Sequence, residues 1–427
     1  MATSVTDLDG LFKRVYGKKL VDLVPKSAYI QGRRGLEEAN KIGKSFEFPV
    51  VVRNEQGATY AAPESGAFAL NAASSMVTQN AVIDGSQLVL RGSLDYESAA
   101  KATAGGPKAF ASATKTQVKS LMDSTRQRLE IANLYGQSPA GLGRTASSAN
   151  ASTTATVITF DADSFAEGMW AGQEGASVQF REFGDFTTLV SSGADSIFVV
   201  GAVGTNTLTV TGTATGIAAL DIAIAANDQV IQFNGAYNAA GTAANEHAGL
   251  DKIITNTGSL FSIDAGTYSL WRGNDITVSG GITLELVNEA NSTAVSRGLD
   301  MEVDVLVNPK TWNEILNDQS ALRRYDSGSS SNKWTNGANG LSFESQNGRM
   351  NFVPHRFVKR GDVFIVPMDH LHRIGAQDVS FEIPGAPGQI FRHLEDSAGY
   401  EFRTYSNQAI IADSPAKFTK VSGYTVA

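Results

Sequence analysis

The spacing of apolar positions changes several times along this chain, and each change predicts an element. Leu8, Leu11, Phe12, Val15 and Leu20 recur at helical intervals, which predicts an amphipathic helix near the start. In KSFEFPVVV the period drops to two, with Phe46, Phe48, Val50 and Val52 alternating, the pattern of a strand. A second alternating run, SQLVLRGSLDYES, follows the turn pair Asp84-Gly85. Between the two lies a Gly-, Ala- and Ser-rich stretch of weak periodicity. Residues 46–97 therefore read as a long β-excursion with little core of its own, either mobile or packed on something outside the monomer. Pro107 then suits a first helical position, and the chain runs to Tyr135 without Gly or Pro before Gly136 offers a stop. Ala111, Val118, Leu121, Met122, Thr125, Leu129 and Ala132 share one face, so this helix should lie across a core and not through it.

Residues 146–245 change character. Short alternating segments such as TATVITF, SIFVV, NTLTVTG and QVIQF, bounded by Gly and Asn, predict a small inserted all-β module, with an extended meander of the main domain as the alternative. Its surface should be acidic, because Arg181 is the only basic residue among Asp161, Asp163, Glu167, Glu174, Glu182, Asp185, Asp195, Asp221 and Asp228. After it, GLDKIITNTG looks helical, and MEVDVLVNPKTWNEIL predicts a strand followed by a helix. There Asn308 is placed as N-cap, Pro309 as first helical residue, and the helical stripe extends to about Tyr325. DSGSSSNKWTNGANG reads as a loop, and the remainder is β-rich, with turns at Arg360-Gly361-Asp362 and Pro384–Pro387. The fold class is α+β.

Composition narrows the function. Charged residues make up 18 % and apolar residues 42 % of the 427 positions, which favours a folded chain over a disordered one. The absence of cysteine rules out disulfides, thiolate metal sites and cysteine nucleophiles. A net charge of −8 opposes bulk nucleic-acid binding. Nine Lys or Arg against five acids in residues 1–45 leave a basic arm, which reads either as a solvated amphipathic end helix or as an arm lying on a neighbouring subunit or near DNA. The first residues lack the apolar stretch of a secretory leader, and no window reaches the ~20 apolar residues of a membrane span.

Chemical motifs are weak. His370 and His372 share one strand face beside Asp369, but a polar strand edge explains them better than a metal site. GQSPAGLGR at residues 136–144 has the glycines of a phosphate loop but follows a helix and lacks the Gly-Lys-Ser/Thr ending. No catalytic residue, cofactor site or metal site is expected.

The order of parts, with basic arm, long β-excursion, long helix, inserted module, strand–helix unit and β-rich end, resembles the Hong Kong 97-type major capsid proteins of tailed bacteriophages. Several stretches are similar in wording: GSLDYESAAKA, RLEIANLYGQSPAGLGR, EHAGLDKIITNTGSLFSID, MEVDVLVNPKTWNEIL and RFVKRGDVFIVPMDHL. The resemblance covers most of residues 1–145 and 246–427. It implies an N-terminal arm at 1–45, an extended loop at 46–97 and a peripheral domain with its spine helix at 98–145. An inserted β-rich domain would follow at 146–245, a return to the peripheral domain at 246–280, and an axial domain with the β-rich C-terminal part at 281–427. The function implied is a non-enzymatic shell subunit, forming hexamers and pentamers that close into an icosahedral virion capsid around double-stranded DNA, assembled in the host bacterial cytoplasm. Implied partners are many copies of itself, a separate scaffolding protein, a portal protein, a decoration protein and packaged DNA at the inner face, with no membrane. Some relatives link a loop lysine to a neighbour's asparagine, but this chain has no lysine between Lys44 and Lys101, so no such link is expected. Arg53, Glu64, Arg91, Asp95 and Glu97 are the candidate subunit contacts, as charges on an excursion that needs outside partners. Two other readings stand beside this one: a bacterial nanocompartment shell of the same fold, and a secreted β-rich surface adhesin suggested by the Thr- and Ala-rich insert and the Arg-Gly-Asp turn.

Overall fold

A computed structural model of the protein describes residues 28–37, 45–96, 107–317, 341–381, 391–394 and 398–426. The amphipathic run at residues 8–20, Glu97, the stretch expected to be helical up to Tyr325, the loop at 326–340 and the turn at Pro384–Pro387 lie outside the described residues.

The long helix spans Pro107–Tyr135, starting at the proline and stopping before Gly136 as its sequence predicts. Gly136 is required there, since a Cβ would sit 2.2 Å from the His247 carbonyl oxygen. The expectation that it only lies across a core needs correction. Its last turns are buried on most sides, with Thr125, Gln127, Leu129, Glu130, Ile131, Asn133, Leu134 and Tyr135 all inaccessible. Three of the polar ones have internal partners. Glu130 accepts the backbone N–H of Ile30 at 2.7 Å and meets His355 Nε2 at 3.2 Å. Asn133 Oδ1 lies 2.9 Å from His247 Nε2, and Thr125 Oγ1 lies 2.7 Å from Thr404 Oγ1. A polar side chain so bonded can enter a core without the cost of an unpaired group.

Two sheets make the body. One has six strands in the order Asn274–Thr277, Thr419–Ser422, Val363–Val366, Val303–Val307, Gly348–Pro354, Leu341–Ser345. Val303–Val307 is buried on both faces, as suits a central strand with one parallel and one antiparallel neighbour. The turn after it places Asn308 as predicted, its Oδ1 accepting Lys310 N–H at 3.0 Å ahead of the helix Pro309–Asn317. The other sheet is built on the long strand Gly399–Ala412, flanked by Leu371–Ser380 and Phe391–His393 on one side and Ser86–Asp95 on the other.

The insert is a seven-stranded antiparallel sheet. It runs Gln229–Phe233, Ser177–Glu182, Phe198–Val203, Thr207–Thr211, Ala155–Phe160, Thr145–Ser152, with Asp185–Leu189 beside Ser177–Glu182. Its ends meet where Arg144 bridges Val230. It is not all-β, because Ala214–Ala226 forms a helix that Thr213 caps through Gly216 N–H at 3.0 Å. That segment carries Ile and Ala without a polar face, so it lacks the helical periodicity that marks an amphipathic helix. Nor does the insert have a separate core: Phe160, Trp170, Phe180, Phe198 and Leu208 join Ile131, Leu134, Tyr135, Phe357 and Phe364 in one apolar cluster.

At the helix exit, charges are buried beside that cluster. Lys420 Nζ lies 2.5 Å from Asp251 and 3.2 Å from Asp362, and Tyr135 OH donates to Asp362 at 2.9 Å. Burial alone would raise the Asp251 carboxyl, but the Lys420 and Lys359 ammonium groups hold it below its ordinary range. Burial also opposes charge on Lys420, yet Asp251 and Asp362 together raise it well above the usual lysine value. Lys420→Met should therefore lower the unfolding free energy by about 3–5 kcal/mol, since two buried carboxylates lose their counter-ion. Lys310→Met, which removes a half-exposed pair with Glu167, should cost under ~1 kcal/mol. Chemical denaturation of free subunits compares the two.

Candidate assembly surface

The excursion divides at Asp84-Gly85. Phe46–Arg53 pairs antiparallel with Val77–Ile83, so this hairpin leaves the body, whereas Ser86–Asp95 stays in the body sheet against Gly399–Ala412. Gly85 lies against Asn407 at this turn, where an added Cβ would require the Asn407 side chain to move. The hairpin base is anchored: Val52 and Ala81 pack with Ile263, Ala265 and Trp271, and Phe48 lies 6.5 Å from the Trp271 ring. Trp271 is itself fixed by its indole N–H donating to the Leu260 carbonyl at 3.0 Å.

Beyond Arg53 the chain loses contact with the body. Residues 54–76 are exposed except for partly covered Thr59 and Ser74. Local bonds shape the tip: Gln56 pairs with Ser74, and Asn71 donates from its side-chain amide to Ala58 O at 2.8 Å and from its backbone N–H to Thr59 Oγ1 at 2.8 Å. Tyr60 is 95 % exposed, Leu70 79 %, Phe68 51 % and Met76 50 %. Large apolar side chains gathered on an ordered tip with no cover mark a surface built to meet another molecule.

The candidate contact residues separate accordingly. Arg53 and Glu64 are exposed on the hairpin, Arg53 donating to Ser75 O at 3.3 Å and Glu64 in the left-handed region at φ 65°. Arg91 sits instead on the body strand, 2.9 Å from the buried Glu401 carboxylate. Asp95 ends that strand opposite Gly399. These residues therefore do not form one cluster.

Other motifs turn inward. The Arg360-Gly361-Asp362 turn is part of the fold: Gly361 N–H donates to Asp163 O at 2.6 Å, Arg360 pairs with Glu314 at 3.1 Å, and Asp362 is buried in the charge network. A Cβ on Gly361 would lie 2.6 Å from Asp163 Cβ, so this turn cannot be presented as an adhesive loop. In the glycine-rich stretch after the long helix, the Ala140 and Gly141 carbonyls point at Lys359 Nζ, at 3.3 and 2.7 Å, which is the wrong polarity for a phosphate. Among the described residues, no three His, Asp or Glu side chains are placed to hold a metal ion, and no helix is long and apolar enough to cross a membrane.

Comparison with known proteins agrees with this geometry. Residues 216–374 match the family model of the SU10 major capsid protein. Over that segment the chain is similar to a phage major capsid protein family. The fold is of the Hong Kong 97 type. The capsid asymmetric unit of cyanophage A-1(L) aligns over 99 % of this chain and 100 % of its own, at a TM-score of 0.55 and 10 % identity. The capsid of a native GTA particle aligns over 100 % of both at 0.50 and 7 %. A holo encapsulin complex from Synechococcus elongatus covers 100 % of this chain and 98 % of its own, but at 0.42 and 8 % it carries no argument. No curated protein matches the sequence.

The exposed tip is the surface whose role in association can be tested apart from the stability of the subunit. Replacing Tyr60 and Leu70 together by Ser should change subunit stability by no more than ~0.5 kcal/mol, because both side chains are largely exposed in the subunit. The same change should abolish shells. Thermal unfolding and sedimentation of the double variant test both halves.

Proposed function

We propose that the subunit assembles through hexamers and pentamers into an icosahedral shell around phage double-stranded DNA, with residues 46–83 overlapping an adjacent copy. The uncovered apolar tip at the end of a rigidly based hairpin carries this reading. Arg53 and Glu64 would contribute directly to that overlap, and Arg91, Asp95 and Glu97 at its root. Residues 98–145 and 246–280 would form the peripheral domain, and 281–427 the axial domain around the symmetry axes. Each contact is modest, but every subunit makes several in closed symmetry, so the shell is held by their sum. Expansion as DNA enters would move subunits as rigid bodies while the helix and hairpin bend.

The insert would face outward. Its one basic side chain, Arg181, is fully buried and donates to Asn238 O at 3.0 Å, so its surface charge is negative. The arm would face the DNA, joined by the exposed Lys119 and Arg126 of the spine helix. Arg128 would not take part, since its guanidinium stacks 3.2 Å above the Phe233 ring and burial brings its pKa down to about 10. The role would be structural, without catalysis or cofactor. A scaffolding protein, a portal protein and a decoration protein would join it in the host cytoplasm, and no lysine is available on the loop for a covalent link.

Electron cryomicroscopy of particles expressed with and without a scaffold tests this directly. Closed shells of hexamers and pentamers with the insert outside are expected. Stable monomers, or an insert facing the lumen, would contradict it.

A further inference from the structure

The described end of the N-terminal arm is strapped to the body. Residues Tyr29–Arg33 form a short helix from which Tyr29 OH donates to Asp304 at 2.8 Å. Arg34 Nε donates to Met368 O at 2.6 Å, Leu36 bridges Arg373, and the Glu37 N–H donates to Arg373 O at 3.1 Å. A histidine also holds this strap through its side chain. His372 Nδ1 lies 2.5 Å from Glu37 Oε1, and Nε2 lies 3.6 Å from Asp413 Oδ2.

We propose that His372 is a pH-sensitive fastener for this strap, bridging Glu37 of the arm and Asp413 of the body when protonated and losing one of them when neutral. An imidazolium has two N–H donors and a neutral ring only one, so deprotonation leaves a lone pair facing a carboxylate and removes the charge that both carboxylates share. The surroundings are otherwise balanced. His370 donates from Nδ1 to Asp413 Oδ1 at 2.7 Å and accepts from Lys417 at 2.8 Å, with Asp300 3.6 Å from Lys417. Arg34 pairs with Asp369, and Arg373 is met by Asp378 at 3.0 Å and by Gln408. The nearby Asp413 carboxylate raises the His372 pKa above its ordinary value; burial opposes this and Glu37 adds to it. A raised pKa means the bridge is complete below the ordinary histidine range and weakens as pH rises through the folded value. Glu37 precedes the first hairpin strand at Phe46 by nine residues in sequence.

Hydrogen exchange at the Glu37 amide reads the fastener, because that N–H bonds to Arg373 O. In free wild-type subunits its protection, corrected for intrinsic rates, should fall several-fold between about pH 6 and about pH 9, the interval spanning a raised histidine pKa. Protection within Val363–Val366 should stay constant. In His372→Gln the Glu37 step should vanish, and in Glu37→Gln, a change at the partly exposed arm partner, it should shrink. An unchanged step in His372→Gln, or a flat wild-type profile, overturns the proposal.

Discussion

The buried joint at the exit of the long helix is the constraint on which the rest of the structure depends. Lys420 in the strand Thr419–Ser422, Asp251 after the insert, Asp362 between two body strands and Tyr135 at the helix end meet in one network. These four come from sequence positions as far apart as 135 and 420. With the joint closed, the helix exit, the six-stranded sheet and the return from the insert have fixed relative positions. From that rigid frame the hairpin projects and the arm is strapped.

The same joint explains why the insert is not an appendage. Its strands place Phe160, Phe180 and Phe198 in the cluster that contains Leu134 and Tyr135. The chain leaves and re-enters beside the network, since Ser138 at the exit bonds Asp251 at the return. A surface module grafted this way can vary outside while its base takes part in the core. Forces on its outer face would reach the helix end without crossing a flexible linker.

Much of the frame is legible in the residues. Pro107 and Gly136 mark the helix ends, Asn308 caps the next helix, and the alternation from Phe46 to Val52 gives the first hairpin strand. What escapes is pairing between distant polar groups. Glu130, Asn133 and Lys359 look like surface residues in a linear reading, yet each is buried because a partner far away in sequence completes its bonds. The Ala214–Ala226 helix escapes for the opposite reason: Ile and Ala all round leave no polar face to reveal its period. The five charges proposed as contacts share a stretch of sequence but not a surface, because the chain turns back into the body at Asp84-Gly85, between Glu64 and Arg91.

The central claim is that the hairpin tip is incomplete until other copies cover it. Hydroxyl-radical footprinting of Tyr60, Phe68 and Met76, in free subunits and in closed shells, measures this most directly. Strong labelling of all three in free subunits and marked protection in shells is the result the account predicts. Equal labelling in the two states would contradict it.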